Sequence, residues 1–226
     1  MSERAMSAPA GALEAKRKME KSFRVKGIFI ALMSGFLYGG YTAFMTQGMA
    51  TGIWGEWYAV GSGLSAFAVT YVLSAVGAAV NDICSAVWSL IYAAIIGRLG
   101  DFGRSLRSKP GRILIIAAII GGPLASTAYV VGIQMAGSII IPIAALNAAI
   151  GAIIGRIIYK QSLSGGMIAG IVICFAAAVL IGSTGFTGGV GFSGTTIIGI
   201  IAGFCAALGW GIEGAVGGYA CSIVDY

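Results

Sequence analysis

The chain holds no histidine among its 226 residues. That removes the commonest general base and the commonest metal ligand together. The four cysteines, Cys84, Cys174, Cys205 and Cys221, form no CxxC pair and fall in or at the ends of apolar segments. With no histidine to complete a ligand set, they read as small hydrophobes and not as zinc ligands. Charge is scarce too: Asp, Glu, Lys and Arg make up 10% of the chain, and only eight residues are acidic. Serine is present, but no neighbour could activate it, and there is no nucleophile elbow or phosphate-binding loop. Neither an enzyme, nor a cofactor, nor a bound metal is expected.

Hydrocarbon fills the space these residues leave. Hydrophobic residues make up 58% of the sequence, and mean hydropathy is +0.94, more than a water-soluble domain of this length could bury. The composition is that of an integral membrane protein. The first 26 residues are polar and basic, without the short apolar core and small-residue cleavage site of a removable signal peptide. Thirty-seven glycines run through the apolar segments, where small residues let helices approach closely in lipid.

A spanning helix needs roughly 20 mainly apolar residues. Segments of that kind run near 27–49, 70–97, 112–136, 139–159, 165–184 and 197–221. Six crossings are expected, in an all-α, polytopic membrane helical bundle. The second is ambiguous, because the weakly polar stretch from Trp57 to Thr70 could be a helix extension, an interfacial helix or a separate pass. Basic residues separate these choices. Seven Lys and Arg lie between Arg4 and Lys26, five between Arg98 and Arg112, and two at Arg156 and Lys160, whereas 50–69, 137–138 and 185–196 carry none. Six crossings put all three groups on one face, and cytoplasmic loops are the ones that collect Lys and Arg. Both termini are then cytoplasmic, in a plasma (inner) membrane, and 57–97 is one crossing with an extracellular prelude. The basic excess orients the chain and faces the anionic lipid bilayer, so no nucleic-acid partner is required.

The last segment resembles the first. Aligning "GIFIALMSGFLYGGY" from Gly27 with "GIIAGFCAALGWGIE" from Gly199 matches Gly27 to Gly199, Ile28 to Ile200 and Gly39 to Gly211. The same alignment sets Tyr38 opposite Trp210 and Tyr41 opposite Glu213. Chance likeness between glycine-rich helices is the competing reading. Segments one and six cross in opposite senses, as inverted repeats of five helices each require. The expected organisation is a basic cytoplasmic segment over 1–26, a first five-helix repeat over 27–184, and the loop and first helix of a second, incomplete repeat over 185–226.

The stretch "AYVVGIQMAGSIIIPIAALNAAIGAIIGRIIYKQSLSGGMIAGIVICFAAAVLI", residues 128–181, resembles the end of a repeat in the drug/metabolite transporter superfamily, specifically its EamA-like members. The likeness lies in order: an aromatic and small-residue helix, almost no loop at Ala136 to Ser138, a helix with Pro142 near its start, a basic end at Arg156 and Lys160, then a glycine-punctuated helix. It implies a secondary carrier that moves a small-molecule substrate by alternating access, linked to protons or another gradient. Two departures stand out. The family commonly has an acid just after the fourth helix of a repeat, where Gln161 stands here. Its members typically have ten helices, so this chain is expected to be a truncated product or to work as a homodimer whose copies complete each other.

A charged residue at the centre of a membrane helix costs about 2.5 to 3.5 kcal/mol on insertion scales, so each one requires a reason. Asp82 is placed in the outer half of segment two beside Asn81, and Ser85 and Ser89 follow on one helical stripe that could line a cavity. Glu213 is placed in the inner half of segment six, with Trp210 one turn before it and Gly214 and Gly217 leaving room. Acids in such surroundings can be tuned to exchange protons near neutral pH. The competing reading pairs each acid with a hydroxyl or amide on the next helix, or hydrates Asp82 at the extracellular interface. Asn147, central in its helix, favours a cavity, whereas Gln134 and Gln47 favour hydrogen bonds between helices. Tyr38, Tyr41 and Trp210 could supply aromatic walls. Gly121, Gly122 and Pro123 interrupt segment three and Pro142 interrupts segment four, where kinks or local openings are expected. Gly151 and Gly155, with Gly166 and Gly170, have the spacing of close helix contacts. The alternative to a carrier is a six-helix oligomeric channel or structural assembly component whose acids are structural or line a pore.

Overall fold

A computed structural model describes residues 10–59, 61–160, 162–187 and 193–223, and their regular structure is entirely helical. Val60, Gln161 and residues 188–192 lie outside the described residues, as do the first nine and last three. Contacts divide the chain into two units, Met1–Glu56 and Trp57–Tyr226.

The first unit is dominated by α1, Ala10–Ala50, which begins well before the apolar run at Gly27. Lys and Arg are good helix formers, so the basic stretch continues the helix instead of ending it. Along α1, Thr42 Oγ1 donates to the Tyr38 carbonyl and Thr46 Oγ1 to the Thr42 carbonyl, each at 2.9 Å. Returning a hydroxyl to the preceding turn satisfies it without water, as a hydrocarbon setting requires. A short helix, α2, Gly52–Tyr58, follows. Gly61 and Gly63 then take φ of 96° and 76°, values that only glycine adopts readily, and the helix stops. Among the described residues α2 ends at Tyr58, a glycine turn follows, and the helix that resumes at Ala66 continues into the second crossing, which therefore begins a few residues before Thr70 and is separate from α2.

The second unit begins its main path at Ser65, whose Oγ accepts the Ala68 N–H at 3.2 Å. A π-helical turn, Ala68–Val72, leads into α3, Leu73–Ile95. Then come α4, Leu99–Arg107, and α5, Lys109–Ile119. Ser108 caps α5 by accepting the Gly111 N–H at 3.0 Å, with Pro110 in the first turn, where a missing N–H costs nothing. Next, α5 runs through a π-helical turn, Ile120–Ser126, into α6, Thr127–Ala136. Pro123 causes the disturbance: it has no N–H to bond the carbonyl four residues back, and its ring crowds the preceding turn. Beyond Gly137 lie α7, Ile140–Ala144, and α8, Asn147–Tyr159, separated where the Leu146 N–H bonds the Ile143 carbonyl at 3.2 Å in a tighter turn. Two long helices, α9, Gly165–Thr187, and α10, Gly194–Ile223, complete the path. Ser164 caps the first through the Met167 N–H at 3.3 Å, and Ser193 the second through the Thr196 N–H at 3.2 Å.

Four stretches are long and apolar enough to cross a membrane: Arg17–Ala50, Ala68–Ile95, Lys109–Ala144 and Gly194–Ala220. Asn147–Tyr159 and Gly165–Leu180 are apolar but shorter. By length and composition the protein is thus a helical membrane protein, with four candidate spans and two further, shorter apolar helices among the described residues. Within the second unit α10 is central. It packs against α5, the π turn, α6, α7 and α8, while α3 packs on α6 and α9 on α7 and α8. Tyr129, Val130 and Ile133 of α6 are buried, as are Ala206 and Ala207 of α10. Backbone approach achieves this density. A Cβ on Gly209 would lie 2.7 Å from Ala125 Cβ, one on Gly211 2.7 Å from Ile150 Cγ2, and one on Gly199 2.7 Å from Ala136 Cβ. Real Cβ atoms do not come this close, so the helices can pack here only because the residues are glycine. Gly151 joins the same seam, 3.2 Å from the Gly211 carbonyl by the same measure. Gly170 does not: no atom lies within 4 Å of a Cβ placed there, and Gly166 meets only its own Ser164.

Candidate functional site

The π turn between α5 and α6 is where the two intramembrane acids meet. Gly121 is buried, and a Cβ on it would overlap the Glu213 carboxylate and lie 2.7 Å from Glu213 Cβ. A Cβ on Gly122 would lie 3.3 Å from Asp82 Oδ2. Asp82, from α3, and Glu213, from α10, therefore reach consecutive residues of one helix break. They are near enough to act on each other electrostatically. Residue counting put the acids in opposite halves of their segments, but the fold brings them to one level. Each is half-buried, and Asn81 Nδ2 donates to Asp82 Oδ1 at 3.3 Å. Ser85 and Ser89, expected on the same stripe, are exposed. One more polar group borders the break: Ser126, buried, donates to the Gly121 carbonyl at 3.4 Å, a bond that suits the wider π geometry.

A second feature lies along α8 and α10. Asn147, Gly151, Gly155, Trp210, Gly211, Gly214 and Tyr219 are among the residues lining a groove of about 450 Å³. Its floor is glycine backbone. The Trp210 indole leans on Tyr129 with ring centroids 5.1 Å apart, and Tyr219 stacks on Tyr159 at 4.1 Å with planes 10° apart. Such pairs hold aromatic rings in fixed orientations. Two sequence candidates, Asn147 and Trp210, therefore share one groove, with Trp210 one helical turn from Glu213.

Gln134 lies elsewhere, about 18 Å along the helix from Gly122 at 1.5 Å per residue. Its Oε1 is 3.3 Å from Ser74 Oγ, which also donates to the Thr70 carbonyl at 2.7 Å. Ser74 is buried and is bonded to Tyr58 as well. Burial pushes the Tyr58 phenol above its ordinary pKa, with the Ser74 hydrogen bond pulling the other way. Gln134 thus belongs to a polar junction joining α3 and α6 beside Tyr58. Tyr38 and Tyr41 belong to the first unit, where their rings lie 6.2 Å apart and tilted by 42°. Gln47 is exposed on the same helix.

Sequence reading missed Tyr129, Tyr159 and Tyr219, which orient or line the groove, and Ser126. Proline and glycine chemistry did mark the break itself. Among the described residues no three His, Cys, Asp or Glu side chains gather as a metal site would require. The site offers two carboxylates beside loosened backbone, and a glycine-floored groove with an amide and two aromatic rings. It can bind and release protons or hold a polar molecule with a flat apolar part. No family model, no curated protein and no solved structure matches this chain.

Proposed function

We propose that the chain is a secondary carrier of the drug/metabolite type, moving a small metabolite by alternating access across a plasma (inner) membrane with both termini cytoplasmic. Asp82 and Glu213 act as one proton-binding unit, and the groove along Asn147, Trp210 and Tyr219 receives the substrate. One observation carries this reading: carboxylates from α3 and α10 converge on the Gly121–Gly122 break. Each acid carries an insertion penalty. Acids inside membrane helices mark proton relays in pumps and transporters, and irregular backbone at membrane depth is tolerated only where it is buried in protein or lines a cavity.

The mechanism follows from tight contact. The Glu213 carboxylate occupies the space that Gly121 leaves by lacking a side chain. A proton entering the pair removes one of two neighbouring negative charges, which weakens their repulsion. Any resulting movement of Glu213 is transmitted to α10, because its neighbours on the π turn leave no slack. α10 also forms one wall of the groove, so proton binding and substrate binding act on the same helix. A ligand can shift such an equilibrium only by its difference in affinity for the two states.

The test is proton movement in proteoliposomes, read by an entrapped pH dye while amino acids, sugars, nucleosides and amphipathic drugs are added in turn. A carrier gives a saturable, substrate-dependent signal, and Glu213→Gln abolishes it while the protein still inserts and folds. Undiminished proton-coupled flux in Glu213→Gln would sink the assignment. Ionic current without saturation would instead favour the channel reading, and no movement of any kind the assembly component.

A further inference from the structure

We infer that α4 is an in-plane, lipid-binding helix, with Leu99, Phe102 and Leu106 seated at the acyl boundary and Arg98, Arg107, Lys109 and Arg112 holding anionic phospholipid headgroups. This inference is independent of carrier activity. It begins with how the helix is fixed. A Cβ on Gly111, in the first turn of α5, would overlap the Ser105 carbonyl, so α4 can lie on α5 only because that residue is glycine. Ser108 ties the corner, donating to the Ser105 carbonyl at 2.7 Å and accepting the Gly111 N–H at 3.0 Å. The Ser105 side of α4 is therefore pinned to protein.

The other side has no such cover. Leu99, Phe102 and Leu106 fall at i, i+3 and i+7, one helical face, and are 50%, 54% and 41% exposed. Arg104 pairs with Asp101 across one turn. Arg98, Arg107, Lys109 and Arg112 are exposed and make no ion pair among the described residues. A nine-residue helix is marginal alone, and three large apolar side chains in water would weaken it further. Its neighbours show what covers the stripe. α3 and α5, which end and begin beside it, both belong to stretches long enough to cross a membrane. Ile91, Ile95 and Ile96 before α4, and Ile113 and Ile116 after it, are exposed apolar side chains too. The α4 stripe is thus flanked in the chain by the exposed apolar ends of two helices long enough to cross a membrane. Basic residues clustered beside the stripe match the negative surface of an anionic leaflet.

The test uses the full chain in bilayers. Spin labels are placed at Phe102→Cys, Leu106→Cys and Arg104→Cys in a background whose four native cysteines are alanine. Their accessibility to oxygen, which partitions into lipid, is compared with that to a nickel chelate, which stays in water. A lipid-seated stripe gives labels at 102 and 106 an oxygen-to-nickel ratio several-fold above that at 104. High nickel access at all three positions would show a helix in water, and low access to both reagents at 102 and 106 would show a protein partner; either overturns the proposal. A second measurement needs no variant. Hydrogen exchange of the wild-type chain over 99–107 should be several-fold slower in nanodiscs of phosphatidylcholine with phosphatidylglycerol than in phosphatidylcholine alone, and equal rates would refute the headgroup contact.

Discussion

α9 and α10 have nearly the same composition and opposite roles. Both are long, apolar and punctuated by glycine, yet Gly199, Gly203, Gly209 and Gly211 of α10 are points of helix contact, whereas Gly165 and Gly170 of α9 have no atom within 4 Å of a Cβ position. On α9, Val172, Ile173, Val179 and Leu180 are exposed. On α10, Ala206, Ala207, Gly203, Gly209 and Gly211 are buried. Small residues permit close approach, but they do not supply the partner. α10 has five partners, α5, the π turn, α6, α7 and α8. α9 packs mainly on α7, α8 and the turn at Gly137–Ile139, and reaches the core through Ala178, which clusters with Leu146 and Ala207.

The largest expected effect comes from filling the α10 seam. Gly211→Leu or Gly209→Leu should prevent α10 from seating and abolish the folded protein in size-exclusion and thermal-shift measurements, while Gly170→Leu on α9 should leave both unchanged. Equal damage from both helices would erase the distinction. Next is Gly121→Ala, whose new methyl group must displace the Glu213 carboxylate. It should destabilise by about 1 to 3 kcal/mol, as overpacking does, and should also reduce substrate-induced proton flux. Ser74→Ala removes the bonds to the Thr70 carbonyl and Gln134 and should lose about 0.5 to 1.5 kcal/mol in denaturant unfolding, with no effect on flux at saturating substrate. Gly170→Ala should have the smallest effect, a gain within about 1 kcal/mol from helix propensity alone.

Hydropathy located the apolar stretches, four of them long enough to cross a membrane, because length and polarity are one-dimensional properties. It misjudged what lies at their edges. α1 reaches back to Ala10 because Lys and Arg end hydrophobic runs without ending helices. α4 escaped a ruler tuned to runs of 20 residues, although the spacing of Leu99, Phe102 and Leu106 carries its amphipathic signal. The break at Gly121–Pro123 was legible from the missing proline N–H. Its consequence was not, since which side chains from α3 and α10 fill the gap depends on helix tilt and rotation. Counting residues along straight, equal segments therefore separated Asp82 from Glu213. Similarly, Gly151 and Gly166 look alike in sequence, and only the position of α10 makes one a contact and leaves the other open.

The central claim is that Asp82 and Glu213 work as one unit, and a double-mutant cycle on flux tests it most directly. Substrate-induced proton movement would be measured for wild type, Asp82→Asn, Glu213→Gln and the double variant in the same proteoliposomes. If the acids form one unit, both single variants lose proton movement, and the double variant is no worse than the more impaired single. Losses that multiply in the double variant, or full proton movement in either single, would contradict the account.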